Sequence, residues 1–359
     1  MSTEMKNKIC TRCVNDRTVK GITFDKNGLC SHCSCYDKYK HRLTDYDNLE
    51  KLFLKKISVE GNFDYNAAVG FSGGKDSTYV LYKLVKEYGL KVKAYTLDNG
   101  FLTLEARSKI DRLVREIGVE HEYVECDTDL LKRTYRYIVS KYLSPCIACS
   151  FLGYAVMINY ASKINAAVGI HGRSSYQMLR GLSDSSEDVF RPFIDAGLCE
   201  DQINFDELYG EIIGKIDRLV DKKLADDIKN KLLIDTKTKG YRDFIAYFLY
   251  HPYNHGEIIE FLEKHTSWTV ESEAEHFDCS IHNGALYLKN MIARRSHLMP
   301  EYSVMINQGI ISRSEATKQM QQTVDRDIAE KELQALCRFA DIPFRRTLRK
   351  AKIYSKRWW

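Results

Sequence analysis

Apolar positions change rhythm along this 359-residue chain, and each change marks a different kind of structure. From Asp64 onward, short apolar runs alternate with longer stretches in which apolar residues recur every three or four positions. The runs Asn66–Phe71, Lys91–Leu97, Glu120–Cys126 and Ala166–His171 are predicted strands, and Thr78–Tyr88, Leu104–Ile117, Leu130–Lys141 and Ser150–Ile164 are predicted helices. Strands joined through helices of this length need right-handed crossovers, so the expected core is α/β: a doubly wound parallel sheet with helices on both faces. Ligands of such sheets bind beyond the carboxyl ends of the strands. That rule singles out Ser72–Ser77, Asp98-Asn99-Gly100, Asp127 and Gly172-Arg173-Ser174-Ser175.

Beyond about Gly181 the rhythm turns mainly helical, over Phe205–Ile216, Lys222–Leu233, Gly240–Leu249, Glu257–Lys264, Ala285–Arg295 and Glu315–Leu336. Ser312-Arg313-Ser314-Glu315 reads as a capping box. Arg191-Pro192-Phe193-Ile194 is the expected crossover into this region. The expected organisation is a small module at 1–45, an α/β domain at 60–195, a helical substrate-determining region at 196–341 and a basic tail at 342–359. His251 and His255 lie four apart with Pro252 between them, which favours a loop over a metal site.

Composition is that of a globular chain, with 44% hydrophobic residues. No apolar run of membrane-spanning length is evident and the start MSTEMKNK is polar, so a cytoplasmic protein without a membrane partner is expected. The formal charge of +5 is local: seven basic residues and no acid follow Asp341, so the remainder sums to −2 (5 − 7). A solvated terminus is preferred for this tail over a nucleic-acid arm using phosphate contacts and stacking on Trp358 and Trp359.

Eleven cysteines in a chain with cytoplasmic character point to metal or redox sites rather than disulfides. Cys10-x-x-Cys13 and Cys30-x-x-Cys33 have the spacing of a tetrathiolate zinc site, with GITFDKNGLC between them as a short hairpin of a zinc-ribbon-like module. Cys35 is an alternative to Cys33, and His32 is expected to be exposed. Four protein ligands leave no open position, so the role is structural.

Ser72-Gly73-Gly74-Lys75-Asp76-Ser77 lies at a strand-to-helix turn. The glycines let the backbone approach an anion, helix N–H groups point at it, and Lys75 adds a cation. The Walker A spacing is absent. The string resembles the fingerprint of the PP-loop ATP pyrophosphatases, a HUP-like superfamily that splits ATP into AMP and pyrophosphate. The resemblance implies that Ser72, Gly73, Gly74, Lys75 and Ser77 hold the departing pyrophosphate, that Asp76 places Mg2+ or orients Lys75, and that Leu97 and Asp98 lie beside the adenosine. Gly172, Arg173 and Gln177 form a second expected phosphate contact, with a helix cap by Ser174 or Ser175 as the alternative.

Pro145-Cys146-Ile147-Ala148-Cys149-Ser150 opens an apolar helix, where the N-terminal N–H groups are expected to depress thiol pKa values. Within the superfamily this pair is similar to that of the thionating branch, including tRNA thiolases with a 4Fe-4S cluster. Cys279 and Cys199 both qualify as a third ligand, and Cys126 is an alternative persulfide carrier.

The resemblance implies ATP-dependent adenylylation of a carbonyl or amide oxygen, followed by its replacement. With sulfur as nucleophile, supplied by a sulfur donor, the product is a thioamide or thiocarbonyl on a small molecule. The strings CTRC, GITFDKNGLCSHC, SGGKDSTY and LDNG, over roughly residues 8 to 125, resemble instead the N-acetyl sugar amidotransferases, which use ammonia from a glutaminase subunit in bacterial surface polysaccharide biosynthesis. A tRNA-thiolating protein is the third reading. Homodimerisation is left open.

Overall fold

The computed structural model describes residues 9–19, 21–179, 213–232, 243–270, 278–293, 298–321 and 324–357. The expected crossover at Arg191–Ile194, Cys199, most of Phe205–Ile216 and the terminal tryptophans lie outside the described residues.

Five parallel strands form one sheet in the order β3-β2-β1-β4-β5: β1 Tyr65–Gly70, β2 Val92–Asp98, β3 Glu120–Glu125, β4 Ala166–His171 and β5 Asp243–Ala246. The period-two alternation of a strand sends successive side chains to opposite faces. Ala67, Val69, Val92 and Ala94 accordingly join one buried core, and Ala68 and Tyr95 the other. Helices α2 (Tyr46–Ile57), α3 (Lys75–Tyr82) and α4 (Leu104–Ile117) supply the first core, whereas α5 (Thr128–Tyr142) and α6 (Pro145–Lys163) supply the second. The expected α/β doubly wound sheet is therefore present.

Strand order reverses at β1, whose neighbours are β2 on one side and β4 on the other. Pairing of Gly70 with His171 makes the turns after β1 and β4 leave the sheet side by side. That is the topological switch point, where open α/β sheets bind ligands. Helix starts near this edge are capped by side chains: Thr103 accepts from the Ala106 N–H and Asp127 from the Leu130 N–H.

Four elements depart from expectation. Within Gly240–Leu249 the structure has strand β5 and a short helix Tyr247–Tyr250. Phe244, Ile245 and Ala246 are buried beside β4, so edge pairing overrides a continuous apolar run that carries no periodicity. Glu315–Leu336 is two helices, Arg313–Met320 and Arg326–Phe339, because the Asp325 side chain caps the second by accepting from Asp327 and Ile328 N–H groups. The region before it holds helix Met299–Asn307. The basic tail is no solvated terminus: Phe344–Arg357 is a helix with Thr347 and Ala351 buried.

Helix α6 has, by length and composition, the apolarity of a membrane span, which the sequence reading overlooked. Ala148, Phe151, Leu152, Ala155, Val156 and Tyr160 are buried in the core on the sheet face, which accounts for that composition.

The N-terminal module, from Ile9 to the end of α1 (Ser31–Leu43), is zinc-ribbon-like. Phe24 and Cys30 form an antiparallel bridge around the turn at Gly28, and Cys30 is the N-cap of α1. The second cysteine pair thus sits on a helix start.

Candidate active site

The Ser72–Ser77 turn is closed by its own hydroxyls. Ser72 Oγ lies 3.2 Å from Ser77 Oγ, the Ser72 N–H donates to Ser77 Oγ at 3.3 Å, and Ser77 Oγ donates to the Gly74 carbonyl at 3.1 Å. Gly73 has φ +72°, and a Cβ there would stand 2.9 Å from Ile110 Cγ1, so this position needs glycine for both conformation and space. Gly74 is the N-cap of α3 without a capping side chain, which leaves the first-turn N–H groups available to an anion.

Lys75 is not loose. Its Nζ pairs with Asp76 and donates to the Tyr253 hydroxyl at 2.6 Å, while that hydroxyl donates to Asp76 Oδ1 at 3.1 Å. Burial, then the Asp76 charge, pushes the Tyr253 phenol far above its ordinary value, so it remains a proton donor. The turn after β4 comes so close that a Cβ on Gly172 would stand 2.9 Å from the Asp76 carbonyl oxygen.

The remaining expected contacts are partly diverted. Arg173 bonds to the Tyr154 hydroxyl and stacks on that ring, 4.9 Å from its centroid, which aims it at α6. Gln177, in α7 (Ser175–Leu179), accepts the Ser174 N–H at 3.2 Å, whereas the alternative of a cap by a serine side chain is not formed. Ser174 Oγ is buried without a hydrogen-bond partner among the described residues, and Ser175 Oγ donates to Gln308 at 3.2 Å. Asp98 is paired with Arg107 and accepts the Gly100 N–H at 2.9 Å, whereas Leu97 packs into the core. Beneath the β4 turn, burial and the Arg173 charge push His171 down to about 3, so it is neutral and accepts the Arg173 N–H at 3.2 Å.

Three cysteines gather at the same carboxyl edge. Cys149, one turn into α6, lies 2.9 Å from the Tyr135 hydroxyl and accepts from Asn99 Nδ2 at 3.6 Å. Asn99 belongs to the turn after β2, and its carbonyl accepts the Tyr135 O–H at 3.1 Å. Cys279 is tied to that turn by a bridge to Leu102 and by the Ser280 N–H donating to Phe101 O at 2.9 Å. Cys146 opens to solvent at the helix start, although protein atoms crowd its sulfur.

The expected depression of these thiols is reversed. Burial pushes Cys146 up, Cys149 up to about 11 and Cys279 up to about 12, and Cys146 adds to the repulsion felt by both others. Desolvation therefore outweighs the helix N-terminus. Held as neutral thiols by burial, the three are soft donors on one edge, the ligand type an iron–sulfur cluster would take up as thiolates. Among the described residues the set whose ligand atoms lie within 4.8 Å of one another is Cys10, Cys13, Cys30 and Cys33. Cys126 stands apart: its thiol, pushed up to about 11 by burial, has Asp98 and Asp127 as charged neighbours.

The N-terminal thiols fit zinc more tightly. All four sulfurs of Cys10, Cys13, Cys30 and Cys33 are buried and lie within 4.8 Å of one another, with Cys10–Cys33 at 3.9 Å and Cys13–Cys30 at 3.6 Å. Thiolates about 2.3 Å from one tetrahedral zinc stand about 3.8 Å apart. Backbone N–H groups of Arg12 and Asn15 donate to Cys10 and Cys13, each at 3.4 Å, which makes the first pair a knuckle. Cys35 is not in the set, and His32 is buried, 2.9 Å from Asn15 Nδ2 through Nδ1, rather than exposed. Asn307 Nδ2 donates to Cys33 Sγ at 3.4 Å, joining helix Met299–Asn307 to the centre.

Tyr253, Tyr135 and Asn99 escaped the sequence reading as site residues. Of these only Asn99 carried a signal, since it lies in a strand-end turn already singled out.

No protein-family profile matches the chain. It is 27% identical over 149 residues to the uncharacterized protein MJ1599 of Methanocaldococcus jannaschii, covering 40% of this chain and 50% of that protein. It is 32% identical over 126 residues to MJ1638 of the same organism, also uncharacterized, covering 35% and 45%. The chain thus spans about half the length of the curated relatives it matches. Among solved structures it resembles the U34-tRNA thiolase NcsA of Methanococcus maripaludis with its [4Fe-4S] cluster at TM-score 0.36 and 16% identity, covering 89% and 91% of the two chains. It also resembles the NH3-dependent NAD synthetase of Campylobacter jejuni, TM-score 0.30, 16% identity, covering 53% and 94%. Overlaps at these scores assign no role to any residue here.

Proposed function

We propose that the chain is an AMP-forming enzyme that adenylylates a carbonyl or amide oxygen of a small molecule with ATP and replaces that oxygen by sulfur. The observation that supports it is the sharing of one sheet edge by the Ser72–Ser77 cradle and the thiols of Cys146, Cys149 and Cys279.

In this reading the substrate oxygen attacks the α-phosphorus of ATP and pyrophosphate leaves. First-turn N–H groups of α3, with Ser72 and Ser77, receive the negative charge that develops on the leaving group. Lys75 exchanges its Asp76 and Tyr253 partners for phosphate oxygens, and Asp76, freed of that cation, is the carboxylate suited to Mg2+, which would neutralise phosphate charge. Tyr253 holds both side chains at the cradle before ATP arrives. A hydrosulfide equivalent from a sulfur donor then adds to the activated carbon, gives its proton to solvent, and AMP departs with the original oxygen. Cys146, Cys149 and Cys279 would hold the cluster, which when bound supplies a site for inorganic sulfur. The Cys10, Cys13, Cys30 and Cys33 zinc would be structural.

A second reading, with ammonia as nucleophile, is favoured by the residue strings between 8 and 125 that resemble N-acetyl sugar amidotransferases. One experiment separates the two. Anaerobically purified protein is incubated with ATP and a metabolite pool, with sulfide or with ammonium, and products are compared by mass spectrometry. The sulfur reading expects an oxygen-to-sulfur product that disappears in Cys146→Ala and Cys149→Ala. An oxygen-to-NH product formed at full rate by those variants would overturn it.

A further inference from the structure

Away from the sheet edge, on the outer face of α5, lies a basin of about 620 Å³ lined by Arg133, Arg136, Lys141, Lys223 and Lys350, with Asp221 as the acid of the lining. Helical spacing puts Arg133, Arg136 and Ser140 on one side of α5, while Tyr135, Ile138 and Val139 are buried on the other. The further walls are the start of helix Lys222–Leu232 and helix Phe344–Arg357.

The two guanidiniums are held in place rather than waving in solvent. Arg133 donates to Asp129 at 2.7 Å and to Asp227 at 2.6 Å, and Arg136 donates to the Ala340 carbonyl at 2.9 Å and to Asp341 at 3.0 Å. Each of these uses two of the five N–H donors of an arginine, so further donors remain on an already ordered group. Lys350 is anchored on the Ser140 carbonyl and Lys141 on the Tyr137 hydroxyl at 3.2 Å. Fixed cations lose little freedom on binding, which is what an anion-selective site needs.

The geometry points to a second ligand site, separate from the Ser72–Ser77 cradle, for a small molecule bearing a diphosphate. Its volume falls in the range of small-molecule pockets, and its three walls turn cations from three helices onto one open basin. Two phosphoryl groups match the N–H donors left over on the two arginines, with Lys141, Lys223 and Lys350 around them. The inference does not depend on which nucleophile the cradle serves.

The test uses the full chain carrying Lys75→Ala, which disables the cradle, and inorganic pyrophosphate as probe. Calorimetry is expected to show one remaining site. Adding Lys141→Gln with Lys223→Gln, both on the surface, is expected to weaken it by about tenfold or more, as loss of charge-assisted contacts implies. Pyrophosphate should also protect Lys141, Lys223 and Lys350 from acetylation, read by peptide mass spectrometry. Tighter binding of ADP than of pyrophosphate would support a nucleoside diphosphate as the source, and equal binding a free or sugar-linked diphosphate. Absence of binding, binding indifferent to the lysine changes, or tighter binding of a short single-stranded RNA at the same lysines would overturn the proposal.

Discussion

The Tyr135 hydroxyl stands 2.9 Å from the Cys149 sulfur and donates to the Asn99 carbonyl at 3.1 Å, so one buried phenol joins the turn after β2 to the start of α6. The single O–H proton serves one of these two acceptors at a time, and when turned to Cys149 it favours the thiolate, opposing the burial that pushes the thiol up to about 11. Tyr135→Phe should therefore lower the alkylation rate of Cys149 at pH 8, measured by mass spectrometry in metal-free protein. It should also cost about 1–3 kcal/mol in denaturant unfolding, because the Asn99 carbonyl loses its donor. An unchanged or faster alkylation rate would show that the phenol does not act on this sulfur.

Tyr253 bridges Lys75 and Asp76. Lys75→Ala should reduce ATP turnover by more than about a hundredfold, since it removes the cation facing the leaving group. Tyr253→Phe keeps the ring packing and removes only the hydroxyl. A fall of roughly tenfold is expected, chiefly in the KM for ATP, from a mispositioned Lys75. Equal losses in the two variants would argue against this division of labour.

Gly172 has no room for a side chain beside the Asp76 backbone. Gly172→Ala should separate the turns after β1 and β4 by a few tenths of an ångström, costing about 1–3 kcal/mol of stability. ATP binding, followed by calorimetry, should weaken in parallel. Gly118→Ala, at a position with nothing within 4 Å but φ +78°, provides the comparison: it strains α4 without touching the cradle.

The folded state holds His171 neutral, its pKa pushed down to about 3, whereas the unfolded chain protonates near 6.5. The unfolded state thus binds more protons between these values, and the His171 contribution to stability is lost as pH falls from about 6.5 toward 3. His171→Gln should flatten the pH dependence of the unfolding free energy across that window. An identical slope in the variant would assign the acid sensitivity to other groups.

How much of this was legible in the sequence depended on range. Leu104–Ile117 was readable to the residue because its cap, its apolar stripe and Gly118 are all local. The zinc ligands were readable because two knuckles fix their own spacing. Strand β5 was not, since only β4 beside it makes Asp243–Ala246 extended. Tyr253 lies 178 residues from Lys75, and no local pattern announces a hydroxyl brought there by packing. The direction of the Cys146 and Cys149 shifts failed for the same reason: the helix end is local, whereas the burial that outweighs it is tertiary.

Zinc should account for one bound metal per chain, retained through purification and lost in Cys33→Ser. Removal should raise amide exchange in 9–43 and, through the Asn307 contact with Cys33, in helix Met299–Asn307. Exchange confined to the first segment would deny that link.

The central claim is that the Ser72–Ser77 turn releases pyrophosphate from ATP. The direct measurement is product analysis with α-labelled and γ-labelled ATP, magnesium and the metabolite pool, for the unaltered chain and for Lys75→Ala. AMP and pyrophosphate in equal amounts, both absent in the variant, is the predicted result; ADP and phosphate, or equal AMP from both chains, would contradict it.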